Sequence, residues 1–345
     1  MFRDIAVEDL MNQQQDTPNT IIDVRSPKEF NEATIPGSVN IPVFSNEERV
    51  EVGTIYKQVG QEAAKEKGLE IFSNKLPEFI AAFKAIDTPK TVFCWRGGMR
   101  SKTAATVLDL MGVEVARLSG GIRAYRNWVM EQLENLDFPP DLYVLNGCTG
   151  TGKTIILQKL ADMGYPMIDL EGLAGHRGSI FGQIGLNPRN QRTFDAALIH
   201  KIKAFKQAPV VFVEGESKRI GRAEIPDAFY NKMKNGMHFF IELPIEERVN
   251  IILEEYTPEK YPEKFMEAFR LIKKRIHIPI AKQIEEDLNT GDFANAVKLL
   301  LEYYYDPRYE YTNNQYTDKQ KITIQAANVE HALQQLLTYI KNDSA

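Results

Sequence analysis

Short apolar runs alternate along the chain with segments whose apolar residues recur every three or four positions. The runs TIIDVR (20–25), SVNIPV (38–43), KTVFCW (90–95) and VEVARL (113–118, followed by Ser-Gly-Gly) are bounded by turn residues and read as buried strands. Between them SPKEF starts a short helix, residues 45–74 are helical in composition, and SKTAATVLDLMG (101–112) has apolar positions at helical spacing with Gly112 as a stop. Strand, helix, strand, helix predicts an α/β domain built on a mostly parallel sheet covered on both faces. The paired prolines of ENLDFPPD (134–141) predict a linker. A second α/β unit follows, with strand-like runs DLYVLNG (141–147), PVVFVEG (209–215), MHFFIEL (237–243) and KITIQA (321–326). From Pro244 to about Thr290 the pattern is helical and charge-rich, and a last helix closes the chain. The expected division is a domain over 1–133, a linker over 134–140, and a domain over 141–345 with a helical, basic extension.

Composition narrows the function classes. In 345 residues 43% are apolar and 26% charged, which suits packed domains rather than a disordered chain. No apolar run approaches the roughly 20 residues of a membrane span, and the N-terminus lacks an apolar signal core, so a cytoplasmic protein without a membrane partner is expected. Cys94 and Cys148 lie in different segments, which argues against a disulfide scaffold, and no Cys/His spacing suits zinc. A net charge of −5 excludes a uniformly basic coat, so any polyanion must be held by a local patch. A monomer is expected.

The first chemical constellation is Cys94-Trp95-Arg96-Gly97-Gly98-Met99-Arg100-Ser101, after a strand and before a helix. The loop amides and the helix N-terminus turn toward the sulfur, Gly97 and Gly98 permit the tight wrap, and Arg96 and Arg100 add positive charge. Such a cradle favours the thiolate as nucleophile and stabilises an anion attached to it. A Cys with an Arg six positions later also fits cysteine phosphatases; Phe93 stands where that class commonly has His, and the loop alone leaves both readings open.

The second constellation, Gly147-Cys148-Thr149-Gly150-Thr151-Gly152-Lys153-Thr154, matches the phosphate-loop pattern between a strand and a helix. Its amides would wrap a diphosphate or triphosphate, Lys153 would neutralise it, and Thr154 could hold Mg²⁺, with Cys148 as a small packing residue. Glu214 and Glu216, after PVVFV, stand where such proteins place a metal-binding or base carboxylate. Asp169, Glu171, His176, Arg177 and Ser179, interleaved with glycines, form a supporting set. Two basic groups are candidate polyanion contacts: Lys218, Arg219 and Arg222; and Arg270, Lys273, Lys274 with His277, read as one helix face that is either solvated or grips a phosphate backbone. The tyrosines of EYYYDPRYEY read as core or as base-stacking platforms.

IIDVRSPKEF, IPGSVNIP, CWRGGMRS and LSGGIRAYRNW, in that order, resemble a rhodanese domain over roughly residues 5–130. The likeness implies a persulfide or perselenide on Cys94, with Asp23 and Arg25 supporting the loop. With the phosphate loop, DLEGLAGHRGSIFG, VEGESKRIG, LLEYYYDPRY and EERVEVGTIYKQVG (47–60), the whole chain resembles the tRNA 2-selenouridine synthases. That resemblance implies a rhodanese-like domain followed by a P-loop NTPase-like domain. Its substrate would be tRNA bearing wobble 2-thiouridine, its co-substrates geranyl diphosphate and selenophosphate, and a selenophosphate-supplying enzyme its source of selenium. The phosphate-loop domain would geranylate the sulfur and Cys94 would deliver selenium in its place. Two alternatives stay open: a tRNA sulfurtransferase fused to an ATP- or GTP-dependent kinase-like domain, and a regulatory module with a phosphatase-like loop and a nucleotide switch.

Overall fold

A computed structural model describes residues 2–16, 18–308 and 320–343. The chain divides into two compact units, Met1–Asn135 with Asp195–Ile199, and Leu136–Phe194 with His200–Ala345.

In the first unit, β1 (Arg3–Ile5), β2 (Thr20–Asp23), β3 (Val39–Asn40), β4 (Lys90–Phe93) and β5 (Ala116–Leu118) form a parallel sheet in the order β1-β5-β4-β2-β3. The inner strands β2 and β4 are near-continuous apolar runs because helices cover both sheet faces. β1 escapes the sequence reading because only three of its residues are paired. The run SVNIPV yields just the two residues of β3, since Pro42 cannot donate to a ladder and confines the segment to the sheet edge. Helices Asn46–Gln58 and Gln61–Lys84 pack beside the sheet on Phe44, Phe72, Phe79 and Phe83. A capping box fixes the start of the first, with the Glu48 amide donating to Ser45 Oγ and the Ser45 amide to the Glu48 carboxylate.

In the second unit, β6 (Asp141–Gly147), β7 (Met167–Ile168), β8 (Val210–Glu214), β11 (Met237–Glu242) and β12 (Lys321–Gln325) form another parallel sheet in the order β12-β11-β6-β8-β7. β9 (Arg219–Ile220) and β10 (Ala223–Glu224) make a small antiparallel pair. β6 lies between β8 and β11, so the chain departs to opposite sides at its C-terminal end and leaves a crevice there, where open α/β sheets bind ligands. Residues 245–305 form helices with their own core around Phe265, Phe269, Ile284 and Leu301. Among the described residues no helix is long and apolar enough to cross a membrane.

Candidate functional site

Cys94 leaves the end of β4 and is buried. Its Sγ lies 3.1 Å from Ser101 Oγ, in the first turn of the helix Met99–Leu110. The loop is pinned to the Ser-Gly-Gly turn: the Ile122 amide donates to Cys94 O at 2.9 Å and the Arg123 amide to Trp95 O at 3.1 Å. Gly121 has φ 60°, and a Cβ there would collide with Cys94 O and lie 2.6 Å from Gly97 N. The motif LSGG therefore shapes the thiol loop from a distance. Asp23 and Arg25 form a buried pair at 2.6 Å, and Asn40 Nδ2 donates to the carbonyls of both, which fixes the neighbouring turn.

The charge around this loop differs from the expectation. Arg96 is exposed, but Arg100 grips Glu29 with two bonds of 2.5 and 3.1 Å. Burial alone would raise the Glu29 carboxyl; Arg100, the Ser26 amide and Arg49 together hold it below the usual range. The positive charge expected from Arg100 is thus compensated within the protein. A third arginine, missed in the sequence, does reach the loop: Arg117 Nη1 donates to Gly97 O at 3.0 Å while its other nitrogens hold Asp4 at 2.7 Å. Only the pairing of β1 with β5 brings Asp4 beside Arg117, so no local signal marks it.

The second loop closes the crevice at the end of β6. Gly150 has φ 81°, and a Cβ would lie 2.8 Å from Ile252 Cδ1 and 2.9 Å from Arg248 O. Residues 149–154 line a cavity of about 70 Å³ with Glu171, Arg177, Ser179, Glu216 and Tyr256. Lys153 Nζ donates to Gly147 O at 3.3 Å. Thr154 Oγ1 stands 3.4 Å from Glu171 Oε2 and 3.5 Å from Glu214 Oε1. Glu214 is fully buried at the end of β8 and accepts the Leu170 amide at 2.7 Å.

The carboxylates are crowded. Burial, and then the charge of Glu216, push Glu171 from 4.5 up to about 8. Burial and the neighbouring Asp169, Glu171 and Glu216 push Glu214 well up, and burial raises Glu216 against the pull of Lys153. Asp169 caps the helix Leu170–Ala174 through the Gly172 amide. Arg177 donates to the carbonyls of Ile184 and Glu255 at 3.0 Å and lies 4.6 Å over the Tyr256 ring, while Ser179 Oγ is 3.2 Å from Tyr256 OH. His176 is not part of the cavity lining; its ring packs against Gly182 and Gly221, and burial lowers its pKa. Among the described residues no group of three or more His, Cys, Asp or Glu side chains forms a metal cage. Magnesium, which keeps several waters and takes one or two carboxylates beside substrate phosphates, needs no such cage, and Thr154 with Glu171 or Glu214 fits it.

Two further features of this cavity escape the sequence reading. Arg248 is buried, donates through Nε to Thr149 O at 2.9 Å, and grips Asp306 at 2.6 and 2.9 Å, tying the loop to the tyrosine-rich tail. Beyond Thr149, Ser179, Ile252 and Tyr256 the cavity wall borders an apolar slot of about 30 Å³ completed by Phe265, Leu301 and Tyr305. Leu301–Tyr305 is a π-helical turn, an irregularity frequent at functional sites. Tyr304 joins the core and Tyr303 is exposed; Tyr309 and Tyr311 lie outside the described residues.

The expected basic face is interrupted. The helix Pro262–Ile272 ends before Lys273, a 3-10 turn covers Lys273–Arg275, and Pro279 starts the next helix, Ile278–Thr290. Proline cannot continue a helix from its N-terminal side, so Arg270 and His277 do not share one helix face. Lys273 pairs with Glu285 at 2.6 Å, and Lys218 with Glu224 and Asp227 at 3.0 and 2.6 Å. Arg219, Arg222, Arg270 and Lys274 remain exposed.

Comparison with known proteins adds identity to this geometry. Residues 6–127 match the rhodanese-like domain family, and residues 140–281 match the tRNA 2-selenouridine synthase AAA domain. The chain is 33% identical to the tRNA 2-selenouridine synthase of Bdellovibrio bacteriovorus, over 89% of this chain and 92% of that one. It is 30% identical to the enzyme of the same name from Nitrosomonas europaea, with the same coverage. To that of a Sulfurovum species it is 35% identical, over 84% of this chain and 88% of the relative.

Proposed function

The chain belongs to the tRNA 2-selenouridine synthase family, and from that membership we propose that it converts wobble 2-thiouridine of tRNA to 2-selenouridine in two steps, one at each loop. In the first, the thiocarbonyl sulfur attacks C1 of geranyl diphosphate. The S–C bond forms, the C–O bond breaks, the diphosphate leaves with the electron pair, and the base loses its N3 proton to solvent. The loop amides and Lys153 hold the diphosphate where negative charge grows. Thr154 with Glu171 or Glu214 would hold Mg²⁺, which when bound offsets charge on the departing group. In the second step selenophosphate, held beside Cys94, adds through its selenium to C2; the C2–S bond breaks and the geranyl thiolate departs with the electron pair. Water then cleaves the Se–P bond, so that phosphate leaves and 2-selenouridine remains. Ser101 Oγ, 3.1 Å from Sγ, is placed to hydrogen-bond the anion. Alkylation turns a poor leaving group into a good one, which is why the order matters.

The observation that carries this reading is the phosphate loop opening onto an apolar slot, since a prenyl diphosphate needs both and a nucleotide triphosphate needs a base pocket instead. The slot is narrow, so seating ten carbons requires Leu301 or Tyr305 to move aside. The test is mass spectrometry of tRNA nucleosides after incubation with geranyl diphosphate alone and then with selenophosphate. Geranylated nucleoside in the first incubation and 2-selenouridine in the second are expected. Calorimetry in which ATP or GTP binds and geranyl diphosphate does not would favour the kinase-like alternative.

A further inference from the structure

An apolar opening in the first unit lies beside the thiol loop, behind Met99 and Arg100. Helices Asn46–Gln58 and Gln61–Lys84 and the helix that follows the thiol loop enclose a cleft of about 390 Å³. Phe44, Ala64 and Phe72 form its buried interior; Tyr56, Leu69 and Met99 stand around it with 59%, 67% and 55% of their surface exposed. Large apolar side chains left this open, gathered round one concavity, mark a site for an apolar ligand. Lys75 of one helix is bonded to Glu48 of the other at 2.5 Å, which ties the two helices together.

Its position gives the ligand. Met99, Arg100 and Thr103 form one wall, and Ser101, next along the same helix, touches the Cys94 sulfur at 3.1 Å. The cleft and the nucleophile therefore share a single helical turn. The Arg100–Glu29–Arg49 ion group lies at this wall, with Glu29 3.6 Å from Arg49, so charge borders an apolar interior. An alkyl chain attached to a polar nucleotide presents the same two characters side by side.

We propose that this cleft seats the alkyl chain of the S-alkylated nucleotide while selenium is delivered beside Cys94, and thereby selects alkylated RNA over RNA that has not yet been alkylated. The proposal rests on the two-step reading above, in which the second step acts on a geranylthio group. It assigns the chain a second seat, distinct from the slot beside the phosphate loop.

The test uses full-length protein carrying Cys94→Ser, which binds without turnover, and anticodon stem-loop RNA alkylated chemically with S-geranyl or S-methyl. Fluorescence anisotropy should show the geranyl RNA bound at least about ten-fold more tightly, as burial of several methylenes requires. Leu69→Asp and Thr103→Trp, at open positions of the cleft, should each erase that preference and leave S-methyl binding unchanged. Tyr305→Ala, in the other unit's slot, should leave the preference intact, with thermal melts confirming that each variant folds. Equal binding of the two RNAs by the parent protein, a preference that survives both cleft variants, or one lost only in Tyr305→Ala would overturn the proposal. Because the RNA is alkylated beforehand, failure of the protein to transfer geranyl from its diphosphate would sink the two-step reading in a separate assay, whereas these outcomes bear on the cleft.

Discussion

In both units a glycine-bearing loop leaves an inner strand of a parallel sheet and runs into a helix, yet the two loops balance charge in opposite ways. Around the thiol, Arg25 is matched by Asp23, Arg100 by Glu29 and Arg117 by Asp4. Around the phosphate loop, Glu171, Glu214 and Glu216 face Thr154 and Lys153; burial raises all three carboxyls, and neighbouring carboxylates add to the rise of Glu171 and Glu214. Around the thiol, these three arginines are neutralised by partners within the protein, while Arg96 stays exposed. The phosphate site holds more acid than its lysine offsets, and only protons or an arriving cation relieve it. In the proposed chemistry, the first loop would hold the thiol and the second would bind a polyanionic head together with cations.

The largest contrast expected is between the two cysteines. Cys94→Ser should reduce selenium incorporation to background while alkylated tRNA accumulates. Cys148→Ser should change either step by less than two-fold, because burial pushes the Cys148 thiol up and leaves it a poor nucleophile. Nucleoside mass spectrometry on both variants checks this; loss of selenation in Cys148→Ser would break the division between the loops.

Next in size is the strap on the phosphate loop. Arg248→Met removes the bond to Thr149 O and strands Asp306, which is partly exposed. A cost of about 2 kcal/mol is expected, below that of a fully buried pair. Arg96→Met, at an exposed position of the thiol loop, should stay within about 0.5 kcal/mol. Denaturant unfolding of the two variants measures the difference, and equal effects would mean that the strap does not brace the loop.

The carboxylates sharpen the comparison through pH. Glu171 is raised from 4.5 to about 8, so between those values the folded protein holds a proton the unfolded chain lacks, and stability falls as pH rises through that window. Glu29 is shifted the other way; its contribution is present above the ordinary carboxylate range and is lost as pH falls through its lowered value. Melting temperatures from pH 5 to 9 should therefore decline toward the alkaline end, and Glu171→Gln should flatten that decline. An unchanged slope in Glu171→Gln would assign the titration elsewhere.

The smallest effect concerns tRNA contacts. Arg270→Ala and Lys274→Ala should each lower the slope of log affinity against log salt by roughly 0.7 to 0.9 if that side chain meets a phosphate. Lys273→Ala should leave the slope unchanged, since Glu285 already takes its charge. A salt series of tRNA binding by anisotropy separates them, and equal slopes in all three variants would mean that this surface is only solvated.

Both loops were legible in the sequence because each is local: a thiol or a lysine, glycines and flanking elements lie within eight consecutive residues. The sheets were legible from the apolar runs, apart from three-residue β1, two-residue β7 and shortened β3. The partners that set each site's electrostatics were not. Glu29 lies 71 residues from Arg100, and Asp306 lies 58 from Arg248. Nothing near either arginine distinguishes a free charge from a paired one. The supposed helix face at 270–277 failed for a local reason, since spacing alone reads through the break that Pro279 imposes. Residues 45–74 read as helical by composition, but the cleft that the helices form depends on how they pack.

The central claim, that alkylation at the phosphate loop precedes and enables selenation at the thiol loop, is tested most directly with Lys153→Ala. The variant is given selenophosphate together with either thiolated tRNA plus geranyl diphosphate or tRNA already geranylated, and 2-selenouridine is followed by mass spectrometry. From thiolated tRNA the rate should fall on the order of 100-fold or more, the usual loss when one stabiliser of developing charge is removed. From geranylated tRNA it should equal that of the parent protein. Parent-rate selenation of thiolated tRNA by Lys153→Ala, or an equal loss on both substrates, would contradict the account.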